Sequence, residues 1–361
     1  MNTDNIEHRD NFIFIRLFFS CIIVIAHSYT LSGSEWNDWV SILTGGQTNF
    51  GLLCFKFFFV ISGYLIFASL IRSRSIGIFF WKRFLRVYPA LITALIATVL
   101  YGNFVYEGNI DYIRNPDVIT YIPNNLFLLD LQYGIKGIFE KNPYKSVING
   151  SLWSLPYEIL FYILITFLFF IRKKPTYLWF ALLFACILLY IVNLFFEHEI
   201  ASLRFYKILV TYFFDLAAFF IAGAFLAASN FNNTARKYLW VLGGLIFLVL
   251  SLHFSVFKEF QYLTLPIIII PVCLSSTKYI RDTEKYLGDI SYGVYIYSFP
   301  IQQTLVHYFK FGYLELIATS LPISLIFGYL SWHIIEKKAV RLKYILPINI
   351  FAVNPKRHRD L

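Results

Sequence analysis

The sequence predicts an all-α, polytopic integral membrane protein: a helical bundle of about ten transmembrane helices with both termini cytoplasmic. Three observations predict it. Of the 361 residues, 58% are hydrophobic and only 14% charged, whereas a soluble domain carries about 25% charged residues. Apolar runs of roughly 17 to 25 residues, each long enough to cross a hydrocarbon core as a helix, recur along the whole chain. Basic residues gather on alternate connectors, as positive-inside topology requires.

The runs place spans at 12–31, 50–70, 88–106, 150–171, 177–196, 208–229, 238–254, 260–275, 288–307 and 315–335. The two shortest, 238–254 and 260–275, are joined by the brief SVFKEF and also read as a re-entrant pair. With the N-terminus inside, the cytoplasmic segments collect Arg9, the group Arg72, Arg74, Lys82, Arg83 and Arg86, then Arg172 to Lys174, Arg236 and Lys237, Lys278, Arg281 and Lys285, and the basic run from Lys337 to Arg359. These make up most of the 31 Lys and Arg. The net charge of +10 is thereby accounted for by the anionic inner leaflet of a lipid bilayer, and it gives no support to a nucleic-acid partner.

The chain reads as one membrane domain over 1–361, with a short N-terminus (1–11), an outer-side loop (107–149), a basic tail (336–361) and no fused soluble domain. Within the long loop, Pro116, Pro123 and Pro143 and several Asn signal a functional or disordered insert. The stretch RSRSIGIFFWKRFLR (72–86) alternates basic and aromatic residues and predicts an interfacial helix. Cys21, Cys54, Cys186 and Cys273 all fall inside spans without paired spacing, so they read as small packing residues, not a disulfide. The seven histidines form no metal-binding pattern, so no metal is expected.

Charged residues inside spans are costly and usually face protein, water or substrate. Arg16 and His27 are eleven positions apart in the first span, so they share one helix face about 16 Å apart along the axis. A snorkelling arginine and a packed histidine would explain the same pair. In the second span, KFFFVISGYLI places Ser62 and Gly63 where a backbone or a ligand can approach closely, with Lys56 as a further intramembrane charge. RFLRVYP sets Arg83 and Arg86 at i,i+3, two guanidinium forks that suit phosphate and serve equally as positive-inside anchors. NGSLWSLPYEILFY carries Trp153 and sinks Glu158 about 12 Å below the outer surface, at a depth where it meets His27. A carboxylate there would support an imidazole acting as general base. GDISYGVYIYSFPIQQ in the ninth span carries Tyr292, Tyr295 and Ser298 before the interrupting Pro300, and reads as a cavity-lining helix. The glutamate of WHIIEKK reads as an interfacial anchor.

Together these elements resemble the acyltransferase family 3 membrane acyltransferases, a bacterial family that acylates carbohydrates and other envelope or exported molecules. Arg16 and His27 fit its Arg-x10-His element, FFVISG its FFxxSG, Arg83 and Arg86 its RxxR, and LWSLPYEILFY its W-S-L-x-x-E-x-x-F-Y, with Glu158 in the acidic position. The ninth span departs from the family: Ser298 stands where many relatives have the histidine of YLWHxP. The resemblance implies an acyl-CoA donor, usually acetyl-CoA, a carbohydrate acceptor and residence in the bacterial inner membrane. On that reading Arg83, Arg86 and Arg16 hold the phosphates, Ser62 and Gly63 admit the donor, and Trp153, Tyr292, Tyr295 and Ser298 line the cavity. His27 deprotonates the acceptor or is itself acylated, supported by Glu158. The rival reading is a polytopic transporter with Arg16, Lys56 and Glu158 along an ion or substrate pathway.

Overall fold

The computed structural model describes residues 10–34, 38–229, 231 and 237–344; Arg9, Arg236 and the tail beyond Tyr344 lie outside them. Long helices follow most of the predicted spans closely, α3 starting well before its expected 88–106: α1 (Phe12–Leu31), α2 (Phe50–Arg72), α3 (Ile76–Gly102), α4 (Gly150–Ile171), α5 (Pro175–Phe195), α6 (Val210–Ala228), α7 (Lys237–His253), α8 (Phe257–Cys273), α9 (Ser291–Phe309) and α10 (Tyr313–Arg341). Among the described residues seven of these, α1 to α6 and α10, are long and apolar enough to cross a membrane. α7 and α8 are shorter, at 17 residues each.

Hydrogen bonds between connectors sort the helix ends into two faces. At one end Asn11 N donates to Cys273 O (2.8 Å), tying the start of α1 to the end of α8. The Trp81 indole near the start of α3 reaches Leu342 O beyond α10 (3.4 Å). At the other end Gln47 Nε2 bonds Leu252 O (3.0 Å), and Tyr308 Oη bonds Phe104 O (3.3 Å). Helices α1 to α3 and α7 to α10 therefore alternate in direction through the bundle.

The separate interfacial helix expected over 72–86 is not formed. Ser75 caps α3 by accepting from Ile78 N (3.2 Å), and the helix then runs unbroken through Pro89. A proline inside a helix frees one backbone carbonyl, which a surrounding bundle tolerates. The outcome places Arg83 and Arg86 within a helix that continues through the bundle.

The 107–149 insert is folded. Asn115 Oδ1 accepts from Asp117 N (3.0 Å), capping a helix over Pro116–Phe127 that ends at Leu128 in the left-handed region (φ 62°). Buried Tyr121, Leu131, Ile135, Ile138 and Phe139 give it an apolar core. Buried amides stitch it to α9: Asn142 Nδ2 donates to Gln303 Oε1 (2.8 Å), and Gln303 Nε2 donates to Tyr144 O and Val147 O (2.8 and 2.6 Å). On its surface Lys141 pairs with Glu107 (2.9 Å), and that hydrogen bond holds the Glu107 carboxyl below the usual carboxylate range. A two-stranded hairpin, Arg204–Phe205 against Ile208–Leu209, departs from the all-α expectation and reaches the insert through Lys207 and Asp130 (3.1 Å).

Candidate active site

Helical spacing brings the four sequence elements around one cavity of about 260 Å³. α1 contributes Arg16 and Ser20, α2 Ser62, α3 Arg83 and Arg86, α4 Ser154, Glu158 and Tyr162, and α9 Tyr292 and Tyr295. Ser154, Glu158 and Tyr162 recur at i,i+4 and so share one face; Tyr162 donates to Glu158 within it. The remaining cavity surface is mostly apolar, with Phe58, Leu65 and Ile66 among its walls.

The three arginines differ in their partners. Arg16 Nη1 and Arg86 Nη2 both bind Asp289 Oδ2 (3.0 and 2.7 Å), and Arg86 Nη1 binds Glu336 Oε2 (2.9 Å). Arg83 makes a long hydrogen bond to Ser69 Oγ (3.3 Å), meets the face of Phe79 at 5.3 Å, and feels Glu158 and Tyr162 electrostatically from farther away. Among the described residues no carboxylate lies within ion-pair distance of it. Asp289 and Glu336 were not among the expected site residues, and Glu336 is no interfacial anchor: its side chain is 0% exposed.

Ser62 and Gly63 point to different sides of α2. Ser62 lines the cavity, whereas a Cβ on Gly63 would collide with the Phe220 carbonyl of α6, and one on Gly223 with the Val60 carbonyl of α2. Gly63 thus belongs to a close helix crossing and not to the donor-binding set expected from the sequence. Tyr292 and Tyr295 line the cavity. Tyr295 donates to Ser151 O (2.5 Å) and receives from Ser154 Oγ (2.8 Å). Among the described residues the buried Tyr292 hydroxyl has no hydrogen-bond partner. Trp153 is wedged among Phe55, Tyr157 and Tyr212, and the fully buried Ser298 bonds back to Tyr295 O (3.1 Å); neither lines the cavity.

His27 lies apart from this chamber. Its ring meets Phe299 edge-on at 5.2 Å, and its Nδ1 is buried with no hydrogen-bond partner among the described residues. The contact with Glu158 expected from equal depth is not made. Ile23 and Val24, both 0% exposed, lie between His27 and the cavity residues of α1. Phe299 in turn touches Tyr144 of the insert (6.0 Å), so a short chain of rings leads from His27 to an exposed tyrosine. Lys56 is elsewhere again. It bonds Gln261 Oε1 and sits 4.0 Å from Asp215, whose other oxygen accepts from Tyr262 Oη (2.7 Å). Arg16, Lys56 and Glu158 therefore do not form the continuous line a transport pathway would need.

A helical membrane protein with an arginine-bearing chamber and a histidine whose Nδ1 is buried without a hydrogen-bond partner among the described residues defines the class. The chain belongs to the acyltransferase family whose model, described as an acyltransferase domain, matches residues 9–333, in agreement with the resemblance seen in its motifs. It is similar to an O-acetyl transferase of Shigella phage Sf6, 29% identical over 92% of this chain and 96% of that protein. It is also similar to Nodulation protein 10 of Rhizobium leguminosarum bv. viciae, 24% identical over 95% and 96%. No solved structure matches.

Proposed function

We propose that the protein transfers an acyl group, most simply acetyl, from acyl-CoA to a hydroxyl of an exported carbohydrate at the bacterial inner membrane. The observation that carries the reading is the buried, unpartnered Nδ1 of His27 on the same face of α1 as Arg16, which lines the cavity. An unpaired buried polar atom is costly unless something binds it, and an acceptor hydroxyl supplies the missing partner. Arg83 suits the phosphorylated end of the donor. Over the roughly 16 Å separating Arg16 from His27, the pantetheine arm carries the thioester along α1; Ile23, Val24 and Phe299 must yield for it to arrive. His27 takes the acceptor proton as the oxygen attacks the thioester carbonyl, then returns it to the departing thiolate. Glu158 and Tyr162 form the polar wall beside Arg83, so the imidazole works without a carboxylate behind it.

In this reading ten helices span the inner membrane with both termini inside, and the 107–149 insert faces the acceptor. Single cysteines at Lys145 and Lys173, both exposed, in a background lacking the four native cysteines should distinguish the two faces. An impermeant thiol reagent on intact cells is expected to label position 145 and spare 173; the reverse pattern would put Arg83 on the side away from cytoplasmic acyl-CoA.

The function itself is tested on surface glycans extracted from a deletion strain and its complemented counterpart. Proton NMR should show ester acetyl signals lost on deletion and restored on complementation. Identical spectra from both strains would remove surface carbohydrate as the acceptor class.

A further inference from the structure

Three guanidinium groups reach the cavity, yet the fold spends two carboxylates on two of them. Asp289 Oδ2 bridges Arg16 and Arg86, and its Oδ1 accepts from Ser291 Oγ (2.9 Å). Glu336 Oε2 binds Arg86, and its Oε1 accepts from Ser331 Oγ (2.8 Å). Every oxygen of both carboxylates is engaged, and the four charges sum to zero. The guanidinium of Arg86 is further enclosed by the Trp332 and Tyr292 rings at 5.5 and 6.0 Å.

The backbone around this group is specialised for it. α10 changes to a wider helix with i→i+5 bonds over Trp332–Glu336, a rare conformation that turns the following side chain to a new direction; here it ends on Glu336. At Gly288 (φ +81°) a Cβ would strike the Trp332 indole. Gly293 and Gly328 bring α9 and α10 together so closely that a Cβ on Gly293 would lie 2.8 Å from the Gly328 Cα. Four helices, α1, α3, α9 and α10, thus converge on one neutral set of side chains.

We propose that Asp289 and Glu336 are positioning residues that clamp Arg86, and that Arg83 alone offers its guanidinium to the anionic donor. Arg86 lies three residues beyond Arg83 on α3, so fixing Arg86 sets the rotation of α3 that turns Arg83 into the chamber. Asp289 likewise sets the start of α9, which carries Tyr292 and Tyr295. The proposal rests on the acyl-CoA reading for its choice of probe.

The test uses pairwise neutralisation. Removing one member of a buried ion pair strands a charge, whereas replacing both by apolar side chains is tolerated. Full-length Arg86→Met, Glu336→Met and the double variant are purified in detergent, and coenzyme A binding and the unfolding midpoint are measured on each. Each single variant is expected to unfold earlier and to bind coenzyme A at least about tenfold more weakly. The double variant should regain the midpoint and come within about threefold of the parent Kd, because no donor contact has been lost. Arg83→Gln should keep the parent midpoint and lose at least about tenfold in affinity, with no recovery from adding Glu158→Gln. A double variant with a restored midpoint but a Kd still tenfold weak would show that Arg86 touches the ligand and overturn the clamp; so would a double variant no more stable than the singles. Absence of coenzyme A binding to the parent protein would instead refute the acyl-CoA reading, and the clamp would then be decided by the midpoints.

Discussion

His27→Ala is expected to abolish acyl transfer while leaving the protein folded in the membrane. The imidazole Nδ1 has no hydrogen-bond partner among the described residues, and the ring packs against the edge of Phe299 at 5.2 Å. Losing an aromatic edge contact costs about 0.5–1.5 kcal/mol, a modest fraction of the stability of a bundle this large. Losing a general base costs about 10²- to 10⁴-fold in rate. The two effects separate in one experiment: protein amount by blotting of membranes, and acetyl ester formation at matched amounts. Product formation at the parent rate by a normally inserted His27→Ala protein would remove His27 from the mechanism.

The sequence registers helix positions because bilayer thickness imposes a length on every apolar run, and α1 begins and ends where its run does. It does not register azimuth. Counting residues from the membrane surface puts His27 and Glu158 at similar depth, yet Glu158 turns into the chamber beside Arg83 and His27 turns toward Phe299. The partners of Arg86 were hidden for a related reason. They lie 203 and 250 residues away, and Glu336 stands near a helix end where an anchoring role explains it locally. Glu336 owes its direction to a local widening of α10 that no periodicity announces. The sequence left the 107–149 insert open between a functional and a disordered segment because its core is not local; Tyr121, Leu131, Ile135 and Phe139 meet only after the chain has turned on Asn115, Leu128 and the buried amides of Asn125 and Asn142. Ser62 and Gly63, adjacent in one motif, divide between chamber and helix crossing because successive residues on a helix point about 100° apart.

Arg83→Gln is expected to raise the KM for acyl-CoA strongly, with little change in the acceptor KM. The guanidinium has no carboxylate within ion-pair distance among the described residues, and its bond to Ser69 Oγ is long at 3.3 Å, so the substitution frees no buried acid and disturbs little packing. What disappears is one charged hydrogen-bonding partner for the donor, worth about 1.5–3 kcal/mol, or roughly 10- to 150-fold in affinity. The same logic forbids that simple outcome at Arg86, where substitution strands Glu336 and must lower the amount of folded protein as well. The contrast is measured by titrating acetyl-CoA against membranes carrying each variant at matched protein levels. A shifted donor KM with normal expression at Arg83, beside reduced expression at Arg86, fits one binding arginine and one clamped arginine. An unchanged donor KM for Arg83→Gln would take the anionic donor out of this chamber altogether.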